Sequence, residues 1–506
     1  MHDPFPVAHF YKSVPAYCCS DADLFFHSHR VALACQCARS SSIKAVFLID
    51  PKQIINQRQL SWLTSSIITS GGILTLQNVM LRISQMDAWY SYFFSALYVC
   101  GIAAFFGYLT KHYPEKHIFT ITKEVLGRWG GTLVNLIMVF HFWQIVVRDV
   151  ASISHFSSTL LLHSTPFEIL IFLPCFLLMY FGKTSVEVIA RVNDLFYPLF
   201  MVTILAMPLM LANEFFPRLL TPTLTTPGPQ LLTSGFLTLG SAGDLFILGA
   251  FLHMLYNSNH VRSSIRHGAL LGLFLLTMLL FLIIAVLGPK MPGNFLYPVY
   301  NLVQMIHITD FLDRLDLVML MIWFPTIACK MIAIYLALLI GISSIINEPN
   351  YPYLNKPISL LMVVSTILSF KNITEVLSFS NFCSPVIVLA YQPLLVLLIF
   401  IVTLVKKRKE PDSQSSASSK AQPHGKKSAQ FIGKVSQLLP YSVWRWGGDA
   451  LIVLCGGCIL VGLMFSRHTP LVGIVCGATF AVCFFLTTLT TYMEVTILKQ
   501  AESGGS

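Results

Sequence analysis

Charge is what this sequence has least of. Asp, Glu, Lys and Arg together make up 11% of its 506 residues, against about a quarter in a soluble domain. With 55% hydrophobic residues beside that scarcity, neither a water-soluble globule nor a solvated disordered coil fits. Catalytic signatures are missing as well. No phosphate-cradling GxxxxGK(S/T), no zinc-binding HExxH and no nucleophile-elbow GxSxG occurs, so the sequence predicts no enzyme and no cofactor. A disulfide framework is also lacking. Cys100, Cys175, Cys329, Cys383, Cys476 and Cys483 stand singly in apolar stretches, where cysteine acts as a small hydrophobe. Cys455 and Cys458 have a CxxC spacing, but inside an apolar run without a histidine, which argues against metal or redox work. Residues 1–50 show no basic start, clean apolar run and cleavage site in succession, so they do not read as a signal peptide. Cys18, Cys19, Cys35, Cys37, His27 and His29 admit a small zinc site there, although the spacing fits no standard finger. The simpler expectation is a disordered leader, or sequence upstream of the true start.

Apolar runs are abundant. Stretches of about 18–25 residues, each long enough to cross a bilayer, recur at roughly 60–82, 88–110, 132–160, 166–182, 186–212, 232–257, 267–288, 313–345, 357–371 and 380–405. The chain therefore reads as an all-α integral membrane protein. Its ten-helix domain covers 51–405, followed by a Ser/Lys-rich basic linker over 406–440. Two further spans at 448–465 and 470–495, within 441–498, predict a transmembrane hairpin with almost no polar face, and 499–506 a short tail. The net charge of +10 is concentrated at Lys111, Lys116, Lys123, Arg128, Arg262, Arg266 and Lys406–Lys409, in loops that fall on one side of the array. That is the positive-inside asymmetry. The basic balance thus reports insertion in a lipid bilayer, and no nucleic acid partner is expected.

Two spans at matching places in the two halves are expected to be broken by glycine. The first holds Thr69, Ser70, Gly71 and Gly72; the second holds Gly240, Ser241 and Gly243, followed directly by Asp244. An open backbone group in lipid costs several kcal/mol, so a helix unwinds only where protein, water or ligand meets it. Paired interruptions point to a small-molecule site near the midplane, and a half-helix start after Gly72 would favour an anion such as a carboxylate. The competing reading is close helix packing through small residues.

Ionisable groups at this depth are functional candidates by default. Asp244 is one, suited either to a substrate ammonium or to a structural ion pair with Lys330. Lys330 shares a helical face with Trp323 and Thr326 and must face the bundle interior. His141, Gln144, Arg148, Ser152 and His155 make one polar stripe at steps of three and four, either a pocket wall or a packing seam; Asp149 points about 100° away from Arg148. Glu187 with Arg191, and Asp310 with Arg314, read as structural i,i+4 pairs.

Three strings carry a resemblance: Ser185 through Asp194 (SVEVIARVND), Tyr297-Pro298 with Asp310 through Asp316 (DFLDRLD), and Ile73-Leu74-Thr75-Leu76. Over residues 51–405 the chain resembles the spore germination B-subunit family, the integral-membrane B subunits of germinant receptors, within the amino acid–polyamine–organocation superfamily. The chain departs from that pattern at Gln77, where a proline is expected, and at Asp244, where glutamate is more usual. The resemblance implies a LeuT-like fold of two inverted five-helix repeats, plus the additional C-terminal hairpin. It also implies binding of an amino acid or other small nutrient, partnership with germinant receptor A and C subunits, and a multi-pass location in the spore inner membrane or cell membrane of an endospore-forming bacterium. In that fold the eighth helix helps line a sodium site, so Lys330 would stand in for the ion. An amino acid permease working by alternating access is the alternative.

Overall fold

The computed structural model describes residues 55–255, 260–306, 315–348, 351–407 and 441–504, all within one unit, Lys52–Ser506. The expected leader, the Asp310–Arg314 pair and most of the basic linker lie outside the described residues.

The first half comprises α1 (Gln57–Thr75), α2 (Gln77–Ser84), α3 (Tyr92–His112), α4 (Ile118–Leu160), α5 (Phe167–Phe181) and α6 (Val186–Met210). The second comprises α7 (Gly228–Gly243), continued as a 3-10 helix over Asp244–Met254, then α8 (Val261–Leu287), the short α9 (Pro298–Gln304), α10 (Leu315–Ile346), α11 (Asn355–Ser369), α12 (Ile373–Ser378) and α13 (Ser384–Lys407). The hairpin is α14 (Tyr441–Phe465) and α15 (Pro470–Gly504). Among the described residues there is no strand, and nine helical segments are long and apolar enough to cross a membrane. Seven of those nine precede residue 408 and two form the hairpin, while the apolar helix Phe167–Phe181 is shorter. α1 packs against α6, α8 and α10, α4 against α10, and α7 against α3 and α13, which interleaves the halves around one core. Leu173, Tyr180, Leu209, Met321, Leu368 and Val453 are 71–82% exposed. Apolar surface on that scale suits hydrocarbon and not water.

Helix starts are set locally. Asn56 N–H donates to Gln59 Oε1 at 3.0 Å, one arm of a capping box, and Ser185 Oγ accepts from Val188 N–H at 3.4 Å. His117 Nδ1 accepts from Thr120 N–H at 3.3 Å. Burial, helped by His253 and Lys123, pushes the His117 imidazole down to about 4, which keeps it neutral and able to accept at pH 7.

Two expectations change. The segment before 132 is no plain loop: α4 begins at Ile118 and turns sharply at Gly127 (φ 78°, ψ 174°), a conformation open to glycine. Beyond it, a Cβ on Gly131 would lie 2.4 Å from the Lys123 backbone, so the two strokes touch directly. The hairpin does have a polar face. Arg266, assigned to a cytoplasmic loop by its sequence position, is buried in α8 and pairs with Glu494 of α15 and, at 2.7 Å, with Asp449 of α14.

Candidate functional site: a buried charge quartet

Neither glycine pair is itself unwound. Gly71 and Gly72 lie inside α1, and the α pattern gives way four residues later at Leu76. Gly240 and Gly243 lie inside α7, which tightens to 3-10 geometry from Asp244 onward. The glycines serve close approach instead. A Cβ on Gly72 would sit 2.7 Å from Leu276 Cδ1, one on Gly240 2.9 Å from Pro385, and one on Gly243 2.3 Å from Val388. Those three are packing positions, the competing reading above. Gly71 differs: its absent Cβ leaves the space 2.9 Å from Lys330 Nζ and 3.4 Å from Asp244 Oδ2.

At that point four charges meet. Asp244 Oδ2 accepts from Lys330 Nζ at 2.8 Å and from Arg148 Nη2 at 2.6 Å. Arg148 Nε and Nη2 also donate to Asp149 Oδ1, at 3.0 and 2.8 Å. Lys330 Nζ stands 2.8 Å from Asp149 Oδ2, an ion pair without hydrogen-bond alignment. Two cations and two carboxylates thus close into a neutral ring. Each would be costly alone at this depth, by at least about 2.5–3.5 kcal/mol, and mutual pairing with hydrogen bonds offsets their desolvation. The sequence reading set Asp149 aside because its Cβ diverges from that of Arg148. The long guanidinium arm bends back regardless, so adjacent opposite charges in an apolar span were the signal to follow.

A water-sized cavity of about 10 Å³ adjoins the ring, lined by Gly71, Leu76, Arg148, Leu237, Ser241, Ser380 and Asn381. Ser380 and Asn381 come from a π turn, Phe379–Cys383, between α12 and α13. Pro385 follows and cannot donate an N–H to the carbonyl of Asn381 four residues back, which favours a wider turn there. No periodicity in the sequence announces such a turn. Ser384, next to it, accepts from Arg148 Nη1 at 3.2 Å.

Of the remaining expected residues, Ser241 lines the cavity, whereas Thr69 donates to the Ser65 carbonyl at 2.9 Å and Ser70 is buried beside it. Thr326 turns its hydroxyl to the Ile322 carbonyl (3.3 Å), and its own carbonyl accepts from Ser66 (3.3 Å). Trp323 packs on Phe200 at a ring distance of 6.5 Å. Only Lys330 of that helical face reaches the quartet. In the α4 stripe, His141 and Arg148 are buried and Gln144 half-buried. Gln392 of α13 donates to the Gly243 carbonyl at 3.1 Å, holding the end of α7 where its geometry changes.

Residues 54–376 match the family model described as "Spore germination protein". The chain belongs to the spore germination protein family. Relatives from Bacillus subtilis (strain 168) include YfkT, 27% identical over 325 residues, 64% of this chain and 89% of its own length. Spore germination protein YndE is 22% identical over 374 residues, 72% and 100% of the two chains. Spore germination protein KB is 23% identical over 344 residues, 66% and 91%. A solved nucleobase-cation-symport-1 transporter, Mhp1, closed with bromovinylhydantoin bound, superposes over 88% of this chain and 94% of its own, at a TM-score of 0.49 and 11% identity, too distant a likeness to bear on function. This spore germination protein is thus a multi-pass membrane protein of an endospore former's family. Its quartet, Arg148, Asp149, Asp244 and Lys330, falls within the matched residues, while the π turn and the terminal hairpin lie beyond them.

Proposed function

We propose that this spore germination protein is the B subunit of a germinant receptor. It binds a small nutrient, an amino acid among the candidates, in the cavity between α1, α4, α7 and the π turn, and it passes occupancy to A and C subunits. The observation that carries this reading is the polar cavity, bordered by a buried charge, at the place where both halves of the fold interrupt their α geometry. A structural scaffold has no use for four charges beside a void at that depth. Filling the void tests it. Gly71→Ala adds a Cβ next to Lys330 Nζ, a flexible side-chain end able to give way, so the protein should still reach the membrane. Spores carrying the variant should lose their response to the nutrient that triggers wild-type spores, and an unchanged dose response would sink the proposal. Uptake of that nutrient by proteoliposomes would instead assign the same cavity to a permease.

A further inference from the structure

Away from the quartet, a charged cleft lies where the terminal hairpin joins the ten-helix domain. α3 and α14 meet where a Cβ on Gly456 would lie 2.9 Å from the Phe93 ring. From that contact towards the cationic face of the array, steps of seven, four, three and four carry one face of α3 through Cys100, Ala104, Gly107 and Lys111. Steps of seven and four bring the facing side of α14 to Asp449 and Arg445. The residues of α3 opposite Arg445 are small, and Cys100, Ala104 and Arg445 are only half-buried, so they border open space. α8 closes one side: a Cβ on Gly107 would abut Arg262, and one on Gly448 would lie 3.3 Å from Arg266 Nη2. On the other side Leu97 and Val453, one turn from Phe93 and Gly456, are 48% and 74% exposed. The cleft therefore opens sideways into hydrocarbon.

Lys111, Arg262, Arg266 and Arg445 surround this cleft, against two carboxylates, Asp449 and Glu494. Arg266 takes both carboxylates, and the other three cations form no ion pair among the described residues. Arg266 is itself 2% exposed, and its Nε proton has no acceptor among the described residues. Unbalanced positive charge at the end of a membrane span attracts an anion. The 406–440 segment is poorly suited to supply one, since it adds eight Lys and Arg residues against Glu410 and Asp412 alone. Trp446, next to Arg445 and 73% exposed, marks the headgroup level. A soluble anion gains nothing from the apolar border, whereas a phospholipid sets its phosphate among the cations and its chains along Leu97 and Val453. We propose that the cleft seats an anionic phospholipid of the leaflet on that face, its phosphate held by Arg262, Arg445 and the free Nε of Arg266. The lipid then forms part of the joint that holds the hairpin to the bundle.

The test titrates phosphatidylglycerol and phosphatidylcholine with identical acyl chains into the full chain in mild detergent, with bound lipid read by native mass spectrometry. Phosphatidylglycerol should bind at least about fivefold more tightly, the worth of one cation near a headgroup. Arg445→Gln should weaken phosphatidylglycerol by about fivefold and leave phosphatidylcholine unchanged. Arg128→Gln removes an exposed cation of α4, outside the cleft, and should change neither. Ala104→Phe keeps every charge but fills the gap, and should abolish the preference. An excess of inorganic phosphate should not displace the bound phosphatidylglycerol. Should Arg445→Gln fail to fold, Ala104→Phe and the phosphate competition on the unmodified protein decide. Equal affinity for the two lipids overturns the proposal. Equal losses at Arg445 and Arg128 overturn it too, because the attraction is then diffuse surface charge. Displacement by phosphate would assign the cations to a soluble anion and sink the lipid seat.

Discussion

Lys330 stands where one ammonium serves two carboxylates, 2.8 Å from Asp149 and 2.8 Å from Asp244. An added sodium ion would have to share those oxygens with a resident cation, so ligand binding should be indifferent to sodium. Stimulation by sodium in an otherwise fixed buffer would contradict this role. Lys330→Met leaves the ring one charge short and should cost about 3–5 kcal/mol of stability, because a stranded buried charge dominates the loss. Adding Asp244→Asn restores neutrality, with Arg148 still on Asp149, so the double variant should be more stable than Lys330→Met alone. Thermal melts of the four proteins give the cycle; effects that add within about 0.5 kcal/mol would mean that the two side chains do not couple. This pair was legible in the sequence, because interior charges of opposite sign in apolar spans have to meet. The role of each glycine was not. Gly71 and Gly72 are adjacent and chemically identical, and only the neighbours separate them, Lys330 and Asp244 for one and Leu276 for the other. Gly72→Ala should accordingly cost the modest stability of an overpacked helix contact, about 1–3 kcal/mol, read as a lower melting temperature with ligand sensitivity retained. A shifted dose response at unchanged stability would return Gly72 to the pocket.

Among the elements, the terminal hairpin departs most from its sequence reading. Composition made it an apolar accessory, since its few polar residues are scattered along two long helices. Folded, they gather against α8. Glu494 accepts from Arg266, from Ser263 Oγ at 2.8 Å and from Tyr441 OH at 3.0 Å, while His267 meets Thr491 at 3.2 Å. Arg266 sits six residues into the helix start that held the cationic side of the array, where charge statistics could not distinguish a lipid-headgroup cation from a buried one. At the other end of the hairpin, Ser466 donates to the Thr223 carbonyl, so both ends are pinned. A hairpin held this way belongs to the core and does not need its linker. A protease site inserted between Ser413 and Lys427 should, after cleavage, leave the 441–498 fragment copurifying with the ten-helix domain in mild detergent. Glu494→Ala, which strands Arg266 beside the partly exposed Asp449, should release it. Separation of the cleaved wild-type fragment would show that these contacts do not hold the hairpin in place.

At the scale of the whole molecule, two sets of ends emerge from contacts alone. On one side, Ile55 N–H donates to the Met254 carbonyl at 2.8 Å, His117 stacks edge-on with His253 at 5.2 Å, Gly107 abuts Arg262, and Lys123 bonds the Ser344 carbonyl and Asn347. These join the start of α1, the end of α3, the start of α4, the α7–α8 junction and the end of α10. On the other side, Asp87 accepts from Thr226 N–H at 2.8 Å, Ser84 Oγ donates to the Gln230 carbonyl at 3.2 Å, and Phe216 N–H donates to the Ala285 carbonyl at 3.1 Å. The first set carries Lys111, Lys116, Lys123 and Arg262, the loops the cation asymmetry assigned to the cytoplasm, and the second carries Pro227. Overall architecture was therefore largely readable from sequence: hydrophobic length gives the crossings and loop charge gives their sense, both one-dimensional signals. The quartet drew on α4, α7 and α10 at once, and such a meeting has no one-dimensional trace. The sidedness is open to direct test in a variant whose native reactive cysteines have been replaced. A cysteine at Pro227 should react with a membrane-impermeant maleimide in intact cells. Cysteines at Lys116 and Arg262 should react only after permeabilisation. Labelling at Arg262 from outside, with Pro227 protected, would invert the molecule, and with it the face from which ligand reaches the cavity.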